Sequence, residues 1–288
     1  MDKDLKEFLE FCDKAQNSAY SQNLQDLWAI WENLDSVASG SGYFVEFGAL
    51  AGINVSNSYL LEVLGWDGIV AEPHPNYKKH IERNRKCHKS YDAVYGTTGE
   101  RLKFKIFKKF PARSTISKFR RKDDLKVLDL EENYKEVIVN TISLLDLLDN
   151  FNAPSIINFI SIDTEGSEYE IIRNFDFSKY KFKTICIEYG TEENRELIFS
   201  LLSKNGYARK WTEVSDHDDW YVLSELVADE SDNAELVTNK VVGLAHEMMP
   251  GVKKRNSVKL KKLLINSCLL YTSPSPRDQR GYRMPSSA

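Results

Sequence analysis

The sequence of 288 residues lacks several features that mark whole classes of protein. Its four cysteines form no C-x-x-C pair, so there is neither a zinc signature nor a disulfide framework, and reduced thiols in the cytoplasm are expected. No apolar run approaches the roughly 20 residues of a membrane span, and the N-terminus is too charged for a signal peptide. With 39 basic against 43 acidic residues, no global basic field points to nucleic acid. We therefore expect a cytoplasmic globular protein.

Residues 268–288 differ in character from the rest of the chain. They hold three of the eight prolines and show neither a strand period nor a helix period. The run C-L-L-Y-T-S-P-S-P-R-D matches the conceptual translation of a transposase-type sequencing adapter, so we interpret this segment as non-native. A natural disordered tail is the alternative interpretation.

Strand-like and helix-like segments alternate along the middle of the chain. Short apolar runs at 43–47, 68–71 and 156–162 are interspersed with helical spacing, as at 55–64 and 77–85. The run at 156–162 is the most apolar, which is typical of a strand buried on both faces. This alternation predicts an α/β fold with a doubly wound, largely parallel sheet, whose ligands bind at the carboxyl ends of the strands.

The first predicted strand leads into a glycine turn that has an acidic residue before it. F-V-E-F-G-A-L-A-G places Glu46, Gly48 and Gly52 in an E-x-G-x-x-x-G pattern. In the dinucleotide pattern G-x-G-x-x-G, a glycine stands where this chain has Glu46. A carboxylate repels a pyrophosphate and attracts the ammonium group of an amino acid. The turn therefore favours S-adenosylmethionine over NAD, although an ordinary glycine turn would read the same way.

Two further strand ends offer contacts for a nucleoside. The second strand ends in I-V-A-E-P-H-P, where Glu72 could accept both ribose hydroxyls. His74 in the same loop is expected to shape the turn rather than to act as a base. The third strand, predicted over 91–95, carries Asp92 and Ala93, which could contact adenine through a carboxylate and a backbone N–H.

The fourth strand ends in a cluster of acids, I-S-I-D-T-E-G-S-E. Methyl transfer is an in-line displacement at carbon, so it needs alignment and in some cases a base. We predict Asp163 and Glu165 as catalytic residues, with Asp163 also at the cofactor. A pair of these acids could instead hold a divalent metal through oxygen ligands, so the metal question stays open. For Glu168 we favour a structural role at the start of the next helix.

These residues together resemble the FkbM family of methyltransferases. The resemblance covers roughly residues 21–223 and rests on a set of stretches in order. The stretches are S-Q-N-L-Q-D-L-W, Y-F-V-E-F-G-A-L-A-G, S-N-S-Y-L-L-E, L-G-W-D-G-I-V-A-E-P, N-R-K-C, T-I-S-L-L-D-L-L-D, I-D-T-E-G-S-E-Y-E and D-D-W-Y-V.

The resemblance implies a class I, S-adenosylmethionine-dependent fold with a seven-stranded sheet whose last strand is antiparallel. It implies O-methylation of a hydroxyl on a sugar, glycan or small natural product. Glu46, Gly48 and Gly52 would lie at the methionine end of the cofactor, Glu72 at its ribose and Asp163 near the reacting centre.

One departure from the family pattern leaves alternatives open. Such proteins often place Asn or Asp between the two glycines, where this chain has Leu50 and Ala51. A non-catalytic interaction module on the same scaffold is therefore an alternative, and an NAD-dependent oxidoreductase is a weaker one.

The predicted organisation along the chain has four parts. Residues 1–40 form a helical lead-in and 41–225 a methyltransferase domain. Residues 226–267 form a partly helical basic tail that continues beyond this sequence, and 268–288 are the adapter translation. The acceptor would lie over the carboxyl edge, under Gln22, Gln25 or the charged insertion at 108–135.

Overall fold

The computed structural model describes residues 3–119, 134–226 and 233–244. The predicted adapter segment, most of the predicted basic tail and part of the charged insertion lie outside these ranges. In the described ranges, no helix combines the length and the apolarity needed to cross a membrane.

Helices and strands alternate over most of the described chain. Helices α1 to α10 span Lys3–Ala15, Gln25–Trp31, Leu34–Ser39, Tyr59–Val63, Lys78–Asn84, Leu144–Asn150, Glu168–Ile172, Glu192–Lys204, Thr212–Ser215 and Ala234–Leu244. Strands β1 to β11 span Tyr43–Phe47, Asp67–Ala71, His88–Ser90, Ala93–Tyr95, Arg101–Phe107, Thr115–Ile116, Tyr134–Ser143, Ile156–Ile162, Lys181–Glu188, Tyr207–Lys210 and Asp218–Leu223.

The main sheet has seven strands in the order β10-β11-β9-β8-β1-β2-β3. Strand β1 pairs in parallel with β2 and β8, while β11 runs antiparallel to both β9 and β10. Phe47 lies level with Ala71 on one side and Ile162 on the other. The residues that follow these three strands therefore meet at one edge. The predicted α/β fold with a seven-stranded sheet is confirmed.

A second sheet, in the order β4-β7-β5-β6, was not predicted. The third strand expected over 91–95 is β4, which pairs with β7 in the second sheet, while the outermost strand of the main sheet on this side is β3 at His88–Ser90. Within this sheet, β5 and β7 run antiparallel and pair over seven residues. Apolar and polar residues alternate in R-L-K-F-K-I-F, which is typical of a strand with one solvated face.

The lead-in packs against one face of the main sheet. Trp28 stacks on Trp220 at 4.9 Å between ring centroids, and Phe8 stacks on Trp211 at 5.0 Å. Such buried aromatic pairs contribute more than their area alone. The packing joins α1 and α2 to the sheet's own core, so the lead-in and the sheet share one apolar layer.

Helix α1 and helix α2 are separated by a loop, whereas the sequence pattern suggested helical spacing throughout 5–30. The buried carboxylate of Asp26 accepts hydrogen bonds from the backbone N–H groups of Tyr20, Ser21 and Leu27. The Ser21 hydroxyl also donates to Asp26, at 2.6 Å. Asp26 therefore holds the loop over 20–24 against the carboxyl edge of the sheet.

Candidate functional site

A cavity of about 340 Å³ opens at the carboxyl edge of the main sheet. Its volume falls in the range of small-molecule and cofactor sites. Its wall combines the ends of β1, β2, β8 and β9 with the loop before α2 and the turn between β10 and β11. Of the predicted site residues, five line it: Gly48, Glu72, Ala93, Asp163 and Glu165. Glu46, Gly52 and Asp92 are not in its wall.

Gly48 lies where β1 and β8 come closest. Its φ is +76°, and a Cβ built on it would lie 2.0 Å from the carbonyl oxygen of Asp163. Only glycine fits a backbone position of this kind. The contact brings the end of β1 directly against the Asp163 backbone, and therefore against the acid cluster that follows β8.

Glu72 lines the cavity at the end of β2 and is bonded to two loops. Its Oε2 accepts from the Leu50 N–H at 2.9 Å and its Oε1 from the His74 N–H at 2.8 Å. Burial raises the pKa of Glu72 to about 7, although these hydrogen bonds oppose the shift. His74 is buried, accepts from the Asn76 N–H and packs on Tyr77, which fits the predicted loop-shaping role.

Glu46 is occupied by its own surroundings, contrary to the expected role at an ammonium group. Its Oε2 accepts from the hydroxyls of Ser56, at 2.8 Å, and Ser58, at 2.6 Å, and pairs with Arg85 at 3.3 Å. Its Oε1 accepts from the Asn57 N–H at 2.6 Å. The carboxylate thus fixes the loop after the glycine turn and does not face the cavity.

Gly52 belongs to the same buried network. Its φ is +83°, and an added Cβ would lie 2.9 Å from the Arg85 Cγ. The guanidinium also donates to the Gly52 carbonyl and to Glu62. The second glycine of the pattern therefore makes room for Arg85 and not for a ligand. Asp92, between β3 and β4, likewise contributes nothing to the cavity wall.

An acidic cluster forms the opposite wall of the cavity. Carboxylate oxygens of Asp163, Glu165 and Glu188 lie within 4.8 Å of one another, a spacing that one divalent cation could bridge. The Asp163 side chain is exposed where it faces the open cavity, although protein atoms surround it on the other sides. Burial, and then the charges of Glu188 and Glu165, raise the pKa of Asp163 well above its ordinary range.

Glu168 has the structural role that the sequence favoured, in a different form. It is fully buried, and its Oε1 accepts from the N–H groups of Thr164 and Gly166 and from the Thr164 hydroxyl. It therefore closes the turn that presents Asp163 and Glu165. Burial, followed by the charge of Glu188, raises the pKa of Glu168 to about 7.

Several cavity residues were missed by the sequence argument. Glu188 ends β9, and His217 and Asp218 come from the S-D-H-D-D stretch between β10 and β11. Asn57 was expected inside a helix over 55–64, but α4 begins at Tyr59 and Asn57 lies in the cavity wall. The missed signal for Glu188 was an acidic residue at the carboxyl end of a further strand. Asp218 begins β11, and it reaches the same edge because β11 runs antiparallel to β9.

The lead-in supplies the remaining side of the cavity. Gln22, Asn23 and Gln25 all line it, and the Gln25 Nε2 donates to Asp218 Oδ2 at 2.6 Å. Burial raises the pKa of Asp218 to about 6, against the effect of this bond. The described part of the charged insertion contributes Arg113, so that at least one basic side chain faces the acids.

Comparison with known proteins gives one family and a distant structural likeness. The methyltransferase FkbM domain matches residues 46–222, which is more than half of the chain. Comparison with curated proteins gives no significant match. A precorrin-6y C5,15-methyltransferase from Geobacter metallireducens GS-15 is similar at 16% identity and a TM-score of 0.33. The match covers 67% of this chain and 87% of that one.

The family match spans the glycine turn, Glu72 and the acid cluster, which are the parts that form the cavity. It agrees with the resemblance that the sequence stretches carry. The chain belongs to the methyltransferase FkbM domain family.

Proposed function

We propose that this protein is an S-adenosylmethionine-dependent O-methyltransferase that acts on a hydroxyl of a sugar, glycan or small natural product. The observation that carries the proposal is the acid-lined cavity at the carboxyl edge, whose wall includes Gly48, Glu72 and Asp163. The family membership supports methyl transfer in general.

The charges of the cavity fit this cofactor. S-adenosylmethionine carries a sulfonium, an ammonium and one carboxylate, whereas NAD carries a pyrophosphate. Among the described residues, the cavity wall holds five carboxylates, from Glu72, Asp163, Glu165, Glu188 and Asp218. Such a wall attracts the methyl donor and repels a pyrophosphate.

The residues suggest a direction for the bound donor. Glu72 would accept the ribose hydroxyls, as acids at this strand end do in related folds, and Ala93 would lie at the adenine. The donor supplies an electrophilic methyl group. Asp163 and Glu165 would stand beside the acceptor hydroxyl. Asp163, whose pKa is raised by burial and then by the neighbouring acids, would take the proton as the methyl group transfers.

The acceptor side of the cavity is polar. Gln22, Asn23 and Arg113 present amide and guanidinium groups to the same space. Groups of this kind bind hydroxyls by hydrogen bonds, which supports a hydroxylated acceptor over an apolar one. The cytoplasmic location and the absence of a nucleic-acid partner stay predictions from the sequence.

Titration calorimetry of the full chain with S-adenosylmethionine tests the cofactor. We expect the wild type to bind and the affinity of Glu72→Ala to be about 10-fold lower or more. The variant lacks the carboxylate that would accept the ribose hydroxyls. The matched control is Glu193→Ala, an exposed glutamate on α8 that should bind like the wild type. No binding by the wild type, or equal binding by Glu72→Ala, contradicts the proposal.

A transfer assay tests the reaction. The full chain is incubated with methyl-labelled donor and a panel of simple sugars and glycans, with magnesium and with a chelator. We expect labelled product with at least one hydroxylated acceptor and none with Asp163→Asn. Donor binding without transfer to any acceptor would favour the non-catalytic module.

A further inference from the structure

Asn57 has a buried polar atom for which the described residues offer no partner. The residue is 8% exposed, and it lies in the cavity wall. Its Oδ1 accepts no hydrogen bond. An unpaired buried amide oxygen costs free energy, so such an atom calls for a reason.

The orientation of Asn57 is fixed on two sides. Its backbone N–H donates to Glu46 Oε1 at 2.6 Å, and its Nδ2 donates to the Ser161 hydroxyl at 2.9 Å. Ser161 lies level with Glu46 across the β1–β8 pair, two residues before Asp163. With the Nδ2 committed to Ser161, the amide oxygen cannot turn to that partner, and it is left as an acceptor over the seam between β1 and β8.

This seam is where the amino-acid end of the donor would lie. If Glu72 binds the ribose at the end of β2, the donor extends from β2 across β1 towards β8, because the strands lie in that order. Its ammonium group would then reach the part of the cavity that Gly48, Asn57 and Asp163 line. Glu46 lies level with Ser161, but its carboxylate is already bonded to Ser56, Asn57, Ser58 and Arg85.

We propose that the amide oxygen of Asn57 accepts a hydrogen bond from the α-ammonium group of the methyl donor, in the role that the sequence assigned to Glu46. The inference rests on the proposed function, since it names a contact within the same cofactor site. Asn57 is thus a cofactor-binding residue that comes from the loop before α4 and not from the glycine pattern.

Two nucleosides allow this contact to be tested apart from the rest of the cofactor site. S-adenosylhomocysteine and 5′-methylthioadenosine share the adenosine and a neutral thioether, but only the first carries the amino-acid end. Calorimetric titration of the full chain with each compound gives an affinity ratio. We expect the wild type to prefer S-adenosylhomocysteine, and Asn57→Ala to lower that affinity about 10-fold or more while 5′-methylthioadenosine binds as before.

The ratio does not depend on the folded fraction, because both compounds require the same folded site. Ser161→Ala is the matched control, since it removes the partner of Nδ2 and leaves the amide oxygen; its ratio should equal that of the wild type. Asn57→Asp keeps an acceptor oxygen and should retain the preference.

The outcomes separate the two proposals. A wild type that binds neither compound contradicts the proposed function and this inference with it. A wild type that prefers S-adenosylhomocysteine, with the same ratio in Asn57→Ala, overturns the inference alone. An equal loss for both compounds in Asn57→Ala also overturns it, because Asn57 would then only support the shape of the loop.

Discussion

Two groups of acids at the ends of neighbouring strands differ in what surrounds them. Glu46, on β1, lies in a closed network with two serine hydroxyls, a backbone N–H and Arg85. Burial alone would lower the pKa of Arg85, but Glu46 and Glu62 raise it above its ordinary value. Charge in this network is therefore balanced within the protein.

The cluster after β8 shows the opposite arrangement. Asp163 faces the cavity, and both burial and the neighbouring acids Glu188, Glu165 and Asp218 raise its pKa. Like charges held together beside open space lower their energy by binding a proton or a cation. The comparison indicates that the closed network is structural and that the open cluster is the chemical part of the site.

Breaking the closed network should give the largest effect. In Arg85→Ala, the buried carboxylate of Glu46 loses its cation, which lowers the free energy of unfolding by about 3–5 kcal/mol. Urea denaturation measures the change. The control is Lys103→Ala, which breaks an exposed pair with Glu136 and should lower the free energy of unfolding far less. Similar losses of the free energy of unfolding in both variants would contradict the structural role of the closed network around Glu46.

Gly48 follows β1 and lies against the Asp163 backbone, so its substitution should have the second-largest effect on the free energy of unfolding. Gly48→Ala places a Cβ 2.0 Å from the Asp163 carbonyl at a positive φ, which should lower the free energy of unfolding by about 3 kcal/mol. Gly99→Ala is the matched control. It has a φ of +86° and nothing within 4 Å, so it should lose only about 1–2 kcal/mol. Equal losses in the free energy of unfolding would show that the positive φ, and not the contact with the Asp163 carbonyl, accounts for both effects.

Glu72 gives a pH dependence with a defined sign. Its pKa rises from 4.5 to about 7 on folding, so between these values the unfolded state ionises while the folded state keeps its proton. The free energy of unfolding should therefore fall as pH rises through this window, by at most about 3 kcal/mol from this group. Glu72→Gln should make the slope shallower in urea denaturation across the window, and exposed Glu193→Gln should not. An unchanged slope in Glu72→Gln would show that the pH dependence does not come from a raised pKa of Glu72.

Gln25 should give the smallest effect of the four. It is a neutral donor to Asp218, so Gln25→Ala should lower the free energy of unfolding by about 1.5–2 kcal/mol. The same change should raise the pKa of Asp218 above about 6, since burial then acts with less opposition. Carboxyl NMR titration measures this directly. A lowered pKa would contradict the described bond.

The sequence predicted the sheet well because strand and helix periods are local signals. The strand expected at 156–162, for example, is β8 with the same bounds. The second sheet was missed because β4 and β7 are joined across distant parts of the chain, and no local pattern shows which sheet a strand enters.

The candidate site was predicted where residues follow strands and missed where loops fold back. Gly48, Glu72 and Asp163 follow directly from strand ends. The sequence around Glu46 does not show that Arg85, 39 residues later, pairs with its carboxylate. Asn57 was predicted to be helical, but Ser56 bonds to Glu46 on β1 and the Asn57 amide to Ser161 on β8. These distant partners leave no local signal that the helix begins later.

The most direct test of the account is a side-by-side calorimetric titration of the full chain with S-adenosylmethionine and with NAD. The five carboxylates of the cavity predict that the methyl donor binds at one site and that NAD does not bind. Binding of NAD in preference to S-adenosylmethionine, or binding of neither, would contradict it.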